Sequence, residues 1–379
     1  MFVDAQALPA PDPRAFPSWG GPTERLRFLL AYAVLAPSRH NTQPWWFEVR
    51  GDEVGLHADG ARALPEVDPD GRELVMACGA ALANLRLAAA HFGHATSAEI
   101  IGTHRRDGLV ARVRLEEHRA LSPEDEELFQ AIPRRRTNRL PLDGREPPEG
   151  LVTRLLREAR AEGAWLRPVE AHQRRAVAEL VAEGDRRQWA NPRFRAELAG
   201  WIHPSGSGRR DGMPAYAVGM SDAAARLQPL VARLSNPARA EAERDRRRTL
   251  ASKALLVLST AHDGLAEWMV AGIALQRILL RATAAGLTVA YFNQPVEQDG
   301  LRGPLREAVG DPGMPQLLLR LGYGPEVRPT PRRTVDEVLR RLDAVPVRPA
   351  PLVLRRAPPV SPMVQPAAAG AAVAPGAPA

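Results

Sequence analysis

The chain is short of several things, and each scarcity closes off a class of protein. It has one cysteine, Cys78, in 379 residues, so no intrachain disulfide can form and a reducing compartment, the cytoplasm, is expected. It has one lysine, Lys253, and arginine supplies the rest of the positive charge behind a net charge of +7. With abundant alanine, proline and glycine, that balance reads as compositional bias rather than a basic patch. Only 5% of residues are aromatic, few for a base-stacking platform, so no nucleic-acid partner is expected. No basic stretch followed by an apolar core opens the chain, so no secretory signal is expected. The best apolar run, Met76 to Ala90, is interrupted by Asn84 and Arg86, which argues against a membrane span. The dinucleotide fingerprint Gly-x-Gly-x-x-Gly is missing, and Gly206-Ser207-Gly208 follows no strand. His57, His262 and Asp263 show no metal-ligand spacing, so no metal is expected.

What is present divides the chain into an arm, a body and a tail. Residues 1–21 carry prolines without periodicity, which predicts a loose arm or one lying on a partner surface. Residues 346–379 are almost entirely Pro, Ala and Val with a few arginines, the composition of a disordered tail. The body between them contains an internal repeat. Placing Gly93 over Gly286 puts Gly79 on Gly272, Leu82 on Leu275, Leu85 on Ile278 and Ala89 on Ala282, a constant offset of 286 − 93 = 193. Both segments read as buried helices ending at a glycine, each followed by a strand-like run, Thr96–Ile101 and Leu287–Phe292. Further strands are expected at Trp45–Val49 and Val54–His57, a hairpin around Gly51-Asp52, and at Leu109–Leu115, Ala254–Thr260 and Gln316–Leu321. Helices are expected over 23–36, 72–92, 123–132, 149–161, 171–187, 222–234, 236–249, 265–285, 301–309 and 334–342. Strands and helices do not alternate regularly, so the class is α+β, with small sheets wrapped by helices.

Four segments carry chemistry. The first, Pro37-Ser38-Arg39-His40-Asn41-Thr42-Gln43-Pro44-Trp45, joins an apolar helical run to a strand and offers a rigid array of donors and acceptors. Read from composition alone, it is equally an ordinary connection. The second, Arg134-Arg135-Arg136-Thr137-Asn138-Arg139, is a fork-rich anion cradle or a solvated basic turn. The third, Asn293-Gln294-Pro295-Val296-Glu297, leaves the second-copy strand as a turn. The fourth, Pro329-Thr330-Pro331-Arg332-Arg333, precedes a helix whose orphan amides would favour a phosphate.

The first segment resembles the Pro-Ser-x-x-Asn-x-Gln-Pro-Trp stretch of the nitroreductase family of FMN enzymes, and more narrowly its single-chain tandem Acg-type branch. The second resembles the family's Arg-x-Ser-x-Lys/Arg motif, with Arg135, Thr137 and Arg139 in place and threonine standing for serine. The third resembles its Pro-[Ile/Val]-Glu-Gly turn, with Gln298 where glycine is common. The resemblance implies a nitroreductase-like fold of two fused pseudo-symmetric halves, 22–120 and 121–345, forming a pseudo-dimer within one monomeric chain. It implies one FMN held by Pro37, Ser38, Arg39, His40, Asn41 and Gln43 from the first half. Arg135, Thr137, Arg139, Pro295, Val296, Glu297, Arg332 and Arg333 would hold it from the second. Arg139 would stabilise charge at flavin N1/O2, the turn at 295–297 would hold N5, and no catalytic side chain is needed. The second half has Ala161-Glu162-Gly163-Ala164-Trp165 in place of another Pro-Ser turn, so one complete motif set remains. An insertion at about 186–221, centred on Trp189–Met220, reads as a lid or as decoration. The implied activity is hydride transfer from NAD(P)H through FMN to a nitroaromatic or quinone-like acceptor. The alternative is an FMN-sequestering protein, its flavin blocked by Trp189, Trp201 and Tyr216.

Overall fold

The computed structural model describes residues 11–340 apart from 104, 106, 118 and 119. The expected tail, 346–379, and the first ten residues of the arm lie outside the described residues.

Helix α1 (Pro22–Ala33) begins at a proline, and the Glu24 carboxylate caps it by accepting the Gly21 N–H at 2.9 Å. A hairpin follows, β1 (Trp45–Arg50) and β2 (Glu53–Ala58), turning at Gly51 with φ 60°. Helix α2 (Arg72–His91) stops before Gly93, which takes φ 82°, and β3 (Ala95–Ile100) and β4 (Leu109–Glu116) complete a sheet. Along β4, Ala111, Val113 and Leu115 face the core while Arg112 and Arg114 face solvent.

The chain continues through α3 (Pro123–Ala131), α4 (Leu151–Ala161), β5 (Trp165–Pro168), α5 (Arg174–Ala190) and α6 (Pro192–Gly200). Two short strands, β6 (Ile202–His203) and β7 (Met213–Pro214), lead to α7 (Asp222–Leu234) and α8 (Ala238–Ala251). Then come β8 (Ala254–Thr260), α9 (Leu265–Ala284), β9 (Thr288–Tyr291), the single turn α10 (Gln294–Glu297), α11 (Arg302–Val309) and β10 (Met314–Gly322). A second single turn, α12 (Val335–Val338), runs into β11 (Leu339–Arg340). The expected helix over 334–342 is therefore corrected. It ends after one turn because Leu339 and Arg340 pair in parallel with Phe47 and Glu48 of β1.

There are two main sheets. One has the order β11-β1-β2-β4-β3 and the other β5-β8-β10-β9, the second antiparallel throughout. Leu256 and Leu258 of β8 face the large core shared by both halves, while Leu255 and Val257 pack against Val177 and Val181 of α5. Both faces of that sheet are thus covered, which is why its strands read as continuous apolar runs.

The repeat becomes geometry at the crossing of α2 and α9. A Cβ placed on Gly79 would collide with the Met269 carbonyl oxygen, and one on Gly272 would collide with the Met76 carbonyl oxygen. Gly79 and Gly272 are repeat equivalents, and so are Met76 and Met269, both separated by 193. Each helix therefore presents the same residues to the other, as an isologous dimer contact does. The chain is two fused, pseudo-symmetric halves. Nearby, the Gln276 amide donates to Asn84 Oδ1 at 2.7 Å, while Gln276 Oε1 is buried in this apolar seam without a partner. Helix α2 is long and apolar enough to cross a membrane, but 89% of that span is buried inside the protein, as befits a core helix.

The described part of the arm, mostly exposed, touches the body through a few side chains. Phe16 stacks on Phe92 with ring centroids 4.2 Å apart, and the Tyr32 hydroxyl donates to the Pro11 carbonyl at 3.4 Å.

Candidate functional site

The turn after α1 is the most strained backbone among the described residues. His40, Asn41 and Gln43 have φ of 49°, 56° and 50°, and no other described non-glycine residue is positive. Each such residue costs about 1–3 kcal/mol and persists only where its surroundings over-determine it. Those surroundings are visible. Ser38 Oγ accepts the Gln43 N–H at 2.8 Å, closing the turn on itself. The Asn41 amide donates to the carbonyls of Gly212 at 2.9 Å and Pro331 at 3.0 Å, while its oxygen accepts from Arg332 at 2.8 Å. Gln43 donates to the Arg210 carbonyl at 2.7 Å and accepts the Arg333 N–H at 2.7 Å. The amides of Asn41 and Gln43, expected to face a ligand, are spent on stapling the inserted segment and the chain's last motif to the turn.

The strain aims Pro37, Ser38, Arg39 and His40 into a cavity of about 470 Å³, within the usual range for small-molecule sites. Met76, Ala77 and Ala80 of α2 form part of its wall, and Thr137, Arg139 and Tyr291 form another. Ile202, Met213, Val218 and Met220 of the inserted segment also line it. Of Trp189, Trp201 and Tyr216, Trp189 lines the cavity, as does Phe194 of the same segment. Trp201 packs instead beside Leu64, Val67 and Phe194, and Tyr216 donates to the Pro329 carbonyl at 2.6 Å.

The lining carries both signs, Glu73, Asp185, Glu241 and Asp245 among its arginines, and Arg135, Arg136 and Arg332 lie behind it rather than in it. Arg135, Arg136, Arg139 and Arg332 lie close enough to repel one another, and none has a carboxylate within 4 Å among the described residues. Burial pushes Arg135 and Arg139 down to about 10. Burial, with Arg135 and Arg136 nearby, pushes Arg332 down to about 9. Arg139 itself keeps an exposed surface and lines the cavity. Arg135 donates to Thr137 Oγ1 at 3.3 Å, yet its Nε and the Nε of Arg332 are buried without a partner. The His40 ring is held neutral by burial and by Arg39 and Arg139, and its Nε2 is also buried and unpartnered. Buried cations without counter-charge and donors without acceptors are the complement of an anion.

The remaining predicted residues stand apart. Pro295 is buried at the start of α10, and Val296 and Glu297 border a second cavity of about 480 Å³. Glu297 is bound by Arg39, Nη1 to Oε1 at 2.7 Å, joining residues 258 positions apart. Arg333 donates to the Gln43 carbonyl at 3.1 Å and braces the turn from outside the cavity wall. The helix expected to present amides beside Arg332 and Arg333 is only one turn long, so the guanidinium groups themselves carry that cradle.

Comparison with known proteins follows this geometry. A Mycobacterium tuberculosis protein provisionally named NAD(P)H nitroreductase Rv3131 is 32% identical over 323 residues, covering 83% of this chain and 91% of its own. The chain belongs to the NAD(P)H nitroreductase family. Two further relatives of this chain, Rv3127 and acg of the same organism, are 32% and 29% identical, each across 83% of the chain. No family model matches it. Among solved structures, an FMN-dependent nitroreductase, NfnB of Mycobacterium smegmatis in complex with NADPH, aligns over 57% of this chain and 97% of its own. That alignment has 18% identity and a TM-score of 0.37. A nitroreductase of Bacteroides fragilis with bound FMN aligns over 53% and 92%, at 15% identity and a TM-score of 0.33.

Sequence reasoning missed part of the wall of this cavity. Glu73, Asp185, Gln188 and Arg320 line it and were not singled out. Glu73 carried a signal, as the only acid in the largely apolar α2. Burial and the neighbouring Asp245 push Asp185 up to about 7, and Gln294 donates to it at 3.0 Å. Arg320 lies over the Phe292 ring at 5.1 Å with its Nε buried and unpartnered. Cys78 donates to the Pro44 carbonyl at 3.6 Å, and burial raises its thiol far above the range of a reactive one.

Proposed function

We propose that this protein is an FMN-dependent oxidoreductase of nitroreductase type that passes hydride from NAD(P)H to a nitroaromatic or quinone-like acceptor. The observation that carries this reading is the set of buried guanidinium groups without carboxylate partners beside the left-handed turn. Such a set suits a phosphate monoester bound to a polar aromatic body, and the orphaned Nε atoms of Arg135 and Arg332 fit that anion. In this reading Arg135, Arg332 and the Thr137 hydroxyl hold the phosphate and ribityl chain, and Arg139 faces the ring edge that gains charge on reduction. Pro37, Ser38, Arg39 and His40 shape the wall, while Asn41, Gln43 and Arg333 keep it rigid. Pro295, Val296 and Glu297 fix the end of β9, whose Tyr291 lines the cavity. FMN supplies the hydride chemistry when bound, and the side chains bind, orient and exclude water.

The roof favours a second reading, FMN held with little turnover, because the inserted segment lines the cavity with Ile202, Met213, Val218 and Met220. One experiment separates them. FMN-loaded protein is mixed anaerobically with NADH, then NADPH, and its absorbance is followed. Bleaching of the flavin band supports the reductase. A band bleached by dithionite alone supports sequestration. A protein that retains no FMN overturns both. Replacing Arg135 and Arg332 together with alanine should abolish FMN retention, and unchanged loading would refute the assignment of these residues.

A further inference from the structure

Glu73 and Glu297 come from the two halves and meet in the wall between the two cavities. Their carboxyl groups lie close enough to influence each other and share one cation, Arg39. Glu73 borders the main cavity, and Glu297 borders the second one. Both side chains are buried, at 7% and 1% exposure. Their other partners are fixed. Arg39 holds Glu297 at 2.7 Å and approaches Glu73 at 3.8 Å. Gln188 of α5 donates to Glu297 at 2.6 Å, and Asn293 donates to Glu73 at 3.0 Å. Arg72 lies 3.3 Å from Glu73, and Asp68 accepts the Glu73 N–H at 3.1 Å.

The charge count of this cluster favours a bound proton. Asp68, Glu73 and Glu297 are three acids, and Arg39 and Arg72 are two cations, so one bound proton makes the group neutral. The other facing groups are Glu197 of α6 towards Arg39, Tyr291 of β9 towards Glu73, and Asp70 and Asp299 at the second cavity. Burial pushes Glu297 up to about 8, while Arg39 and Arg72 outweigh burial and hold Glu73 below its ordinary value. Of the two glutamates, Glu297 therefore holds a proton more readily than Glu73.

We propose that Glu297 and Glu73 form a relay that carries protons from the second cavity into the main one. The inference rests on the reductase reading, which needs such a supply. Reducing a quinone (Q) follows Q + NAD(P)H + H⁺ → QH₂ + NAD(P)⁺: the two electrons and one hydrogen arrive as hydride, and the other hydrogen arrives as a proton. Glu297 passes its proton to the Glu73 carboxylate, and Glu73 passes it to the acceptor oxygen in the main cavity. Water in the second cavity restores the proton on Glu297, so the relay ends each cycle as it began.

The test uses Glu297→Gln, which keeps a hydrogen-bonding side chain of the same length but cannot relay, and Glu73→Gln, which breaks the chain at its inner end. Infrared spectra of the full chain across pH 7 to 9 should contain a deuterium-sensitive carboxylic acid C=O band that titrates near pH 8 and is missing from Glu297→Gln. With FMN bound, both variants should reduce benzoquinone at least tenfold more slowly, and added formate or acetate should restore much of the rate. No titrating band, or a Glu297→Gln rate and pH profile matching the unmodified protein, would overturn the relay while leaving the reductase reading intact. Failure of the unmodified protein to hold FMN would overturn the reductase reading and remove the need for the relay.

Discussion

At the scale of the residue, the site is governed by side chains that act on backbone. Asn41 tolerates φ 56° better than most residues do, and its amide ties three chain segments together. Replacing Asn41 with alanine removes three buried hydrogen bonds and takes from the Gly212 carbonyl its Asn41 donor. That should cost about 1–3 kcal/mol or more, read as a lower urea midpoint, with greater proteolysis of the inserted segment. Asp185 gives a pH-dependent case. Burial and Asp245 raise it to about 7, so the folded state keeps a proton that the unfolded chain has released. Stability from this group is therefore full at low pH and falls as pH rises from about 4 through about 7. Asp185→Asn should flatten that fall, by no more than about 4 kcal/mol, when urea midpoints at pH 5 and pH 8 are compared. The motif residues Arg39, His40, Thr137 and Arg139 were legible because they cluster along the chain. The stapling role of Asn41 and Gln43 was not, since their partners lie up to 290 positions away.

At the scale of the element, the crossing of α2 and α9 shows what a sequence pattern carries. The offset of 193 aligned Gly79 with Gly272 before anything placed them in contact, because glycine in a helix costs about 1 kcal/mol over alanine unless close approach requires it. Alanine at Gly272 would drive a methyl group into the Met76 carbonyl. Gly272→Ala should lower stability by about 1–3 kcal/mol or more, and Gly79→Ala should do the same from the other side. A circular-dichroism melt checks both, and a neutral pair would contradict the tight crossing. Where the pattern failed, at 334–342, the reason is long-range. Leu339 and Arg340 fit a helix locally, but the free edge of β1 offers them a ladder, and Arg340 gains a seat over the Trp46 ring at 4.4 Å. No window along the sequence contains that edge.

At the scale of the whole molecule, the two halves are not separate bodies. α1, α2, β1 and β2 share one apolar core with α3, α4, α9 and β10, and β11 from the far end of the chain extends the first sheet. The division we propose after residue 120 is therefore a division of ancestry and not of stability. Cut there, residues 1–120 would expose the α2 face that packs against α9, including Met76 and Gly79. Residues 121–379 would expose the matching face and leave β11 without its neighbour. An exposed apolar surface of that kind drives association or aggregation. Expressed alone, each piece should be insoluble or lack a cooperative unfolding transition. Expressed together, they should co-purify as a one-to-one complex on size exclusion. The complex should also bind FMN, because the Arg39 to Glu297 pair and the Asn41 to Arg332 contact both cross the cut. Two pieces that fold independently would show instead that the shared core contributes little, and the pseudo-dimer would then be a tandem of autonomous domains.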